Sequence, residues 1–244
     1  MADIILTPRL KLHRIATLES GSTDLAHAHI IRSSPEATIW SISGVSKSLE
    51  HTQKVMGQIA TVPDAAVARN DVPNLRVTYL VYARVEGESD EQARESRDPE
   101  RVIGICSLND LKVYGMPFGE HLRIVPKEIA AREKVLMLEA GWQLLPTVWG
   151  KGYCPEAVTA MLSSYHESTS RWNPPYQRVC FVAVVGEMNP RSQKVASKVG
   201  FTRLGIHEWE GEDTFLGGAM QPPRVIVFGL DPESSAAEKE VKGK

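Results

Sequence analysis

Apolar residues recur along this chain with two different periods, and the switches between them lay out its elements. Leu10 and Leu12, and less cleanly Ile15, alternate with polar neighbours within Leu6 to Ile15, which predicts a first strand with one buried face. The period then lengthens: Leu25 to Ile31 reads as a short helix, and Leu49, Thr52, Met56 and Ile59 form a helical stripe within Ser46 to Ala60. Two strands follow, Leu75 to Val85 and Val102 to Leu108, the former rich in β-branched and aromatic residues. Between them Glu86 to Arg101 is almost wholly charged or polar, which predicts a long solvated hairpin loop that adds nothing to a core. The stretch Lys112 to Lys134 carries Gly115, Pro117, Gly119 and Pro126, too much punctuation for one regular element, and is expected to be an excursion facing a substrate.

From Val135 the pattern tightens into a strand at Val135 to Leu145, a helix at Pro155 to Ser168, a strand at Arg178 to Val185 and a helix at Pro190 to Val199. Two more strands are expected at Phe201 to Trp209 and Arg224 to Leu230. The longest uninterrupted apolar run, Val179 to Val185, falls far short of the roughly 18 residues of a membrane span and reads as a buried strand. Strand, helix and buried strand in succession favour a parallel pair joined by a right-handed crossover, whereas the earlier hairpin favours antiparallel pairing. The expected fold is therefore α/β, with one mixed sheet in a single domain over residues 6–230. Residues 231–244, PESSAAEKEVKGK after Asp231, offer almost no apolar surface and are expected to be a disordered tail.

Composition excludes some function classes. Among 244 residues, 28 basic side chains face 30 acidic ones for a net charge of -2, so the chain has no electrostatic footprint for nucleic acid or an anionic membrane. Met1 to Leu10 lacks the basic flank, apolar stretch and small-residue cleavage site of a targeting segment, so a cytoplasmic protein, or a nuclear one by diffusion, is expected. Cys106, Cys154 and Cys180 are too widely spaced for a zinc site and odd in number for a disulfide framework. His27 and His29 would share a face only on a strand and read as ordinary histidines, so no metal is expected.

The most informative stretch is PTVWGKGYCPEA, Pro146 to Ala157, between a predicted strand and a predicted helix. Gly150 and Gly152 remove two side chains where the backbone turns, and Pro155 suits a first helical turn. Free amides at that helix start, with the positive end of the dipole, suit a phosphate or pyrophosphate; the same residues would also make a tight connection that binds nothing. A nucleoside-triphosphate loop needs Ser or Thr after Gly-Lys, where Gly152 stands, and a dinucleotide fingerprint needs a third glycine near Cys154 and Pro155. Downstream, NPRSQKVASKVGF runs from Asn189 through Ser192 to Gly200, a left-handed helix cap, and Phe201.

On WGKGYCPEA (Trp149 to Ala157) and NPRSQKVASKVGF (Asn189 to Phe201) the chain resembles the GNAT superfamily of acyl-CoA-dependent N-acetyltransferases. It looks most like the branch of ribosomal-protein N-terminal acetyltransferases, which also open with a Thr, Arg-Leu and alternating leucines, as in Thr7, Arg9, Leu10 and Leu12. The resemblance implies helices on both faces of a sheet whose parallel strand pair splays apart. It implies that amides across Trp149, Gly150, Lys151, Gly152, Tyr153 and Cys154 hold the pyrophosphate of acetyl-CoA, that the strand backbone at Trp142, Gln143 and Leu144 pairs with the pantetheine arm, and that Asn189 and Ser192 flank that arm. In the family's loop pattern Trp149 stands for Gln or Arg and Cys154 for Gly or Ala.

Acetyl transfer needs a neutral amine, a polarised thioester carbonyl and a proton for the leaving thiolate. Many family members place a tyrosine seven residues after the asparagine as the acid; here that residue is Ala196. The resemblance nominates Ser192 for the proton, against a reading as a helix hydroxyl bonded to backbone. Glu139 is the candidate base, although simple alternation groups it with Gly141 and Gln143 unless a bulge reverses the register. Glu187, Glu208 and Asp110 are alternatives. The expected activity is transfer of an acetyl group to a primary amine, on a peptide N-terminus or a small molecule. The competing reading is a catalytically silent domain that binds acyl-CoA as a sensor or assembly part.

Overall fold

The structure, a computed structural model, describes residues 2–59, 75–110 and 118–234. Its strands are β1 (Ile4–Leu6), β2 (Leu10–Arg14), β3 (Val77–Ala83), β4 (Val102–Asp110), β5 (Val135–Leu144), β6 (Arg178–Gly186), β7 (Thr202–Glu208), β8 (Thr214–Leu216), β9 (Ala219–Gln221) and β10 (Arg224–Leu230). The helices are α1 (Thr23–Arg32), α2 (Pro35–Thr38), α3 (Leu49–Ile59), α4 (Asp90–Glu95), α5 (Lys127–Ala130), α6 (Tyr153–Glu167) and α7 (Pro190–Val199). Eight strands share one sheet in the order β1-β2-β3-β4-β5-β6-β10-β7, while β8 and β9 form a separate hairpin. The pair β5–β6 is parallel and its neighbours are antiparallel, the mixed sheet expected from the strand and helix pattern.

Among the described residues three buried clusters flank the sheet, and the two larger ones sit on opposite faces. On one, Val158, Met161, Leu162 and Tyr165 of α6 and Ala196 of α7 pack against Tyr79, Cys106, Leu138 and Phe181. On the other, Leu25, Ala28 and Ile31 of α1 and Met56 of α3 cover Leu80, Tyr82 and Ile105. Burying each large apolar side chain contributes about 1.5–3 kcal/mol, so helices on both faces secure the long central strands that the site is built on. Helix α1 is held at its start by Ser22, which accepts from the Leu25 amide, and by Asp24, which accepts from the amides of Ala16 and Thr17 at 2.7 and 3.2 Å.

The feature that positions the site is where β5 and β6 part. Their ladder ends at Glu139 opposite Val182, yet β5 stays paired with β4 to Leu144 and β6 stays paired with β10 to Gly186. The facing edges of residues 140–144 and 183–186 therefore diverge, leaving a wedge open at the end of the sheet.

Several sequence expectations need correction. The first strand is a hairpin, because Thr7 to Arg9 turn the chain between β1 and β2, the Thr7 amide donating to the Leu10 carbonyl at 2.9 Å. Residues 86–101 do join β3 and β4 as a largely exposed hairpin connection, but one with structure of its own: Ser89 and Gln92 form a reciprocal capping box for α4, and Ala93 is fully buried. Glu88 accepts from Arg101 through both carboxylate oxygens at 2.7 Å, so charged residues here are spent on one another. Of the stretch 112–134, residues 112–117 lie outside the described part; the rest holds a 3-10 turn (Glu120–Leu122) and α5, with Leu122 and Val125 buried.

Order also continues past Leu230 as far as Ser234, while residues 235–244 of the expected tail lie outside the described part. Arg178, 8% exposed at the start of β6, meets Asp231 at 3.1 Å, Glu133 at 2.6 Å and Glu233 at 2.8 Å. Ending the chain after Leu230 strips two of these partners from a buried guanidinium. We expect a loss of about 1–3 kcal/mol, or a melting-temperature drop on the order of 5 °C, and no drop when the chain ends after Ser234. Equal thermal melts for both truncations would show that Glu133 alone neutralises Arg178.

Candidate active site

The glycine loop sits at the open end of the wedge. A 3-10 turn at Pro146–Val148 carries the chain off β5, and Trp149 then donates its indole Nε1–H to the Leu144 carbonyl at 2.8 Å, pinning the loop to the strand it has just left. Gly150 and Gly152 adopt φ of 77° and 81°, the left-handed conformation that L side chains rarely enter, and Gly152 is the residue that caps α6. No side chain caps this helix start. Among the described residues none offers an acceptor to the amides of Gly150 to Cys154, so these donors point outward with the positive end of a 15-residue helix behind them. That is the arrangement a pyrophosphate needs.

A clasp that was not read from spacing holds the loop from the far end of the chain. Arg9 donates through Nη1 to the Lys151 carbonyl at 2.9 Å and through Nε to Glu156 at 2.7 Å, and lies over the Tyr153 ring at 4.7 Å. Thr7 Oγ1 donates to the same carboxylate at 2.5 Å, and the Arg9 amide donates to it at 3.2 Å. Thr7, Arg9 and Glu156 thus act as one unit. The threonine and arginine noted only as an opening pattern are the residues that fix the loop's carbonyl inward and leave its amides free.

Across the wedge, α7 starts just beyond β6. Asn189, 7% exposed, accepts from the Ser192 amide at 3.1 Å, so its side chain serves as the helix cap. Ser192 itself is half-buried, and its hydroxyl has no hydrogen-bond partner among the described residues; the reading as a hydroxyl tied to backbone does not hold. Arg191 lies over the Trp149 ring at 4.6 Å, which joins the two motifs directly. At the other end Gly200, with φ of 104°, supplies the left-handed cap and Phe201 is buried, as expected from the sequence.

The second face of the wedge is polar. In β5 no register shift interrupts pairing with β4, so Glu139, Gly141 and Gln143 share the face covered by α1, as simple alternation predicts, and no bulge reverses them. Glu139 stands opposite Asn109, and Gly141 opposite Ser107. Part of Glu139 remains accessible, but its carboxyl lies deep enough that burial pushes its pKa up to about 7. Asn109 donates to Ser107 Oγ at 3.2 Å while its buried Oδ1 has no partner, an unused acceptor beside Glu139. A side chain at Gly141 would press on Ser107 Oγ at 3.1 Å, so the glycine keeps this patch open. Arg32, 1% exposed, donates to Gln143 Oε1 at 3.2 Å, Ser41 Oγ at 3.0 Å and the Gly44 carbonyl at 2.5 Å. Ser107, Asn109 and Arg32 had no signal in the sequence beyond being polar within apolar stretches.

The other candidates fall elsewhere. Glu187 and Glu208 pair with Arg224 at 2.7 and 3.5 Å, and Asp110 lies at the end of β4 opposite Leu138. Glu139 lies on the α1 face while α7 packs against α6 on the other, so Glu139 and Ser192 reach the wedge from opposite sides. Cys154 packs into the core beneath the loop and burial raises its thiol pKa, which makes it an inert stand-in for a small residue. His27 and His29 lie on α1 and bond Tyr82 and Thr52 at 2.8 and 2.7 Å. Among the described residues no cluster of three or more His, Cys, Asp or Glu could hold a metal ion, and no helix is long and apolar enough to cross a membrane.

Residues 9–202 match the profile of a family described as acetyltransferase (GNAT) domain. Nothing among curated protein sequences matches the chain. Among solved structures, an acetyltransferase of the GNAT family from Bacillus anthracis is 17% identical, with 94% of this chain and 99% of that one covered and a TM-score of 0.55. A spermidine N-acetyltransferase from Vibrio cholerae, solved with CoA and spermine, is 13% identical over 93% of this chain and 98% of that one, with a TM-score of 0.56. The ribosomal-protein-S5-alanine acetyltransferase from Vibrio fischeri is 15% identical over 93% and 96%, with a TM-score of 0.55.

Proposed function

The chain belongs to the GNAT acetyltransferase family, and from that membership we propose that it is an acetyl-CoA-dependent N-acetyltransferase that modifies a primary amine by direct attack on the thioester. The observation that carries this reading is the wedge between β5 and β6, with unpartnered loop amides at its mouth and a raised-pKa carboxyl at its apex. The neighbours act, by their names, on spermidine and on a ribosomal protein, and CoA sits in one of them.

Gly150 to Cys154 would hold the pyrophosphate, and the free edge of β5 at Trp142 to Leu144 would pair with the pantetheine arm. Acetyl-CoA supplies the activated acyl group. Glu139, ionised, takes a proton from the incoming ammonium, so that the amine nitrogen can bond to the acyl carbon; as the carbon–sulfur bond breaks, the positively charged nitrogen loses a second proton to solvent and the neutral amide is formed. Asn109 Oδ1 accepts an N–H of the same amine and orients it. Ser192 Oγ–H donates a proton to the departing thiolate and regains one from solvent. No metal enters this scheme.

Free-thiol release from acetyl-CoA, measured against a panel of peptide N-termini and small amines, tests the proposal. Ser192→Ala should lower turnover about a hundredfold with acetyl-CoA affinity nearly unchanged. If turnover survives, water protonates the thiolate. If no amine stimulates thiol release by the native protein although acetyl-CoA binds, the silent acyl-CoA sensor becomes the better reading.

A further inference from the structure

The turn between β1 and β2 is closed by a side chain where a backbone bond is the usual choice. Thr7 and Leu10 face one another across Pro8 and Arg9, and the Thr7 amide donates to the Leu10 carbonyl at 2.9 Å. In an ordinary turn the return bond runs from the fourth residue's amide to the first residue's carbonyl. Here the Leu10 amide donates to Thr7 Oγ1 instead, at 2.9 Å. The Thr7 carbonyl is left for another donor, and Arg84 takes it through Nη1 at 2.9 Å.

Arg84 directly follows β3, and its side chain is 11% exposed. Its amide donates to the Arg9 carbonyl at 2.9 Å, so this one residue holds the carbonyls on both sides of Pro8. The far end of its guanidinium is fixed by the β3–β4 connection: Nη2 donates to the Glu88 carbonyl at 2.9 Å and to Asp90, the first residue of α4, at 2.7 Å. On the other side of the turn, Thr7 Oγ1 and Arg9 reach Glu156, and Arg9 reaches the Lys151 carbonyl in the glycine loop. Polar contacts therefore run without a break from α4, through Arg84 and the turn, to the loop.

We propose that Arg84 is a positioning residue for acetyl-CoA, acting through Thr7 on the loop amides, and that the β3–β4 connection thereby sets cofactor affinity from outside the site. The turn has two acceptors for the Leu10 amide, the Thr7 carbonyl and the Thr7 hydroxyl, and Arg84 decides between them by occupying the carbonyl. With the hydroxyl chosen, the Leu10 amide fills an acceptor position of Oγ1, and the hydroxyl proton is directed at Glu156. Without Arg84 the freed carbonyl recaptures the Leu10 amide and the hydroxyl loses its orientation. Glu156 then loses a donor that helps to hold it beneath Arg9, and the Arg9 grip on the Lys151 carbonyl slackens. A loop less often in its binding arrangement binds its ligand more weakly, in proportion to the population lost.

Arg101 supplies the control. It fastens the same connection, donating to both oxygens of Glu88 at 2.7 Å and to the Ala83 carbonyl at 2.9 Å, but among the described residues it makes no hydrogen bond or ion pair to the turn. Loss of Arg101 loosens the connection alone. Loss of Arg84 loosens the connection and the turn.

This inference rests on the reading of the loop as a pyrophosphate site, and the experiment separates the two. Acetyl-CoA affinity by calorimetry, thiol-release kinetics and thermal melts are compared for the native protein, Arg84→Gln, Arg101→Gln, Thr7→Val and the double variant Arg84→Gln with Thr7→Val. Arg84→Gln should raise Kd and KM for acetyl-CoA about tenfold with kcat nearly unchanged, whereas Arg101→Gln should lower the melting temperature and leave Kd alone. The double variant should bind no more weakly than Thr7→Val, because Arg84 has no hydroxyl left to direct. Unchanged affinity in a folded Arg84→Gln protein, or losses that multiply in the double variant, would overturn the proposal. If the native protein binds no acetyl-CoA, the pyrophosphate reading fails, and amide hydrogen exchange over Gly152 to Val158 decides on Arg84: it must be faster in Arg84→Gln and not in Arg101→Gln, and equal rates overturn the proposal. Should Arg84→Gln not fold, Asp90→Ala, at the exposed end of the same guanidinium, must raise Kd about twofold or more in the native background and not in Thr7→Val, or the proposal fails.

Discussion

Gly152→Val should remove measurable acetyl-CoA binding while the protein stays folded. Gly152 caps α6 at φ of 81°, where a β-branched residue pays on the order of 1–3 kcal/mol in backbone strain. The fold can absorb that. A Cβ at this position meets only Arg9 Nη2, at an ordinary 3.4 Å, and α6 remains anchored by Ala157, Val158, Met161 and Tyr165, all fully buried. Binding cannot absorb it, because amide donors reach a pyrophosphate only if no branched side chain stands between them, and the strain would turn those amides away. Calorimetry should detect no heat of binding where the native protein binds, with the thermal melt lowered only modestly. Unchanged affinity in a folded variant would place the cofactor elsewhere. Asn189→Ala offers the contrast: its carboxamide caps α7, so the loss should fall on stability, about 1 kcal/mol, more than on affinity.

The loop could be read from sequence because its physics is local. Two glycines, a proline at a helix start and the strand pattern before them constrain the same few residues whatever the rest of the chain does. The same holds for Asn189, Pro190 and Gly200, which cap α7 with their own side chains and backbone. What holds these pieces in relation is not local. Arg9 meets Glu156 across 147 positions and Arg32 meets Gln143 across 111, and no periodicity reports such a pairing. The short helix within residues 86–101 escapes the pattern for a related reason. Most of these polar residues do face water, yet Ser89 and Gln92 satisfy the start of a helix and Glu88, Arg84 and Arg101 satisfy one another. Alternation did give the register of Glu139. It could not distinguish the two faces, since helices cover both, and the polar patch of Asn109 and Ser107 beside Glu139 became visible only in the structure.

Replacing Glu139 by Gln should have opposite effects on rate and on stability, which a merely structural carboxylate would not produce. Burial raises the Glu139 carboxyl to about 7, so near neutrality it is poised between the acid that cannot accept a proton and the base that can. For the native protein kcat/KM should fall as pH drops through about 7, in proportion to the ionised fraction. Glu139→Gln should lose that limb of the profile and about a hundredfold or more in kcat/KM above it. Stability runs the other way. A carboxyl whose pKa is raised on folding holds its proton more tightly in the folded state, so its contribution is fully present below the unfolded value and is lost as pH rises through about 7. Glutamine mimics the protonated form at every pH. At pH 8 the variant should therefore melt higher than the native protein, and near pH 4 the two should converge. A variant that melts lower at pH 8 and keeps the acidic limb would show that Glu139 is held by a partner rather than poised as a base, and the proton would have to leave the amine through Asn109 and solvent.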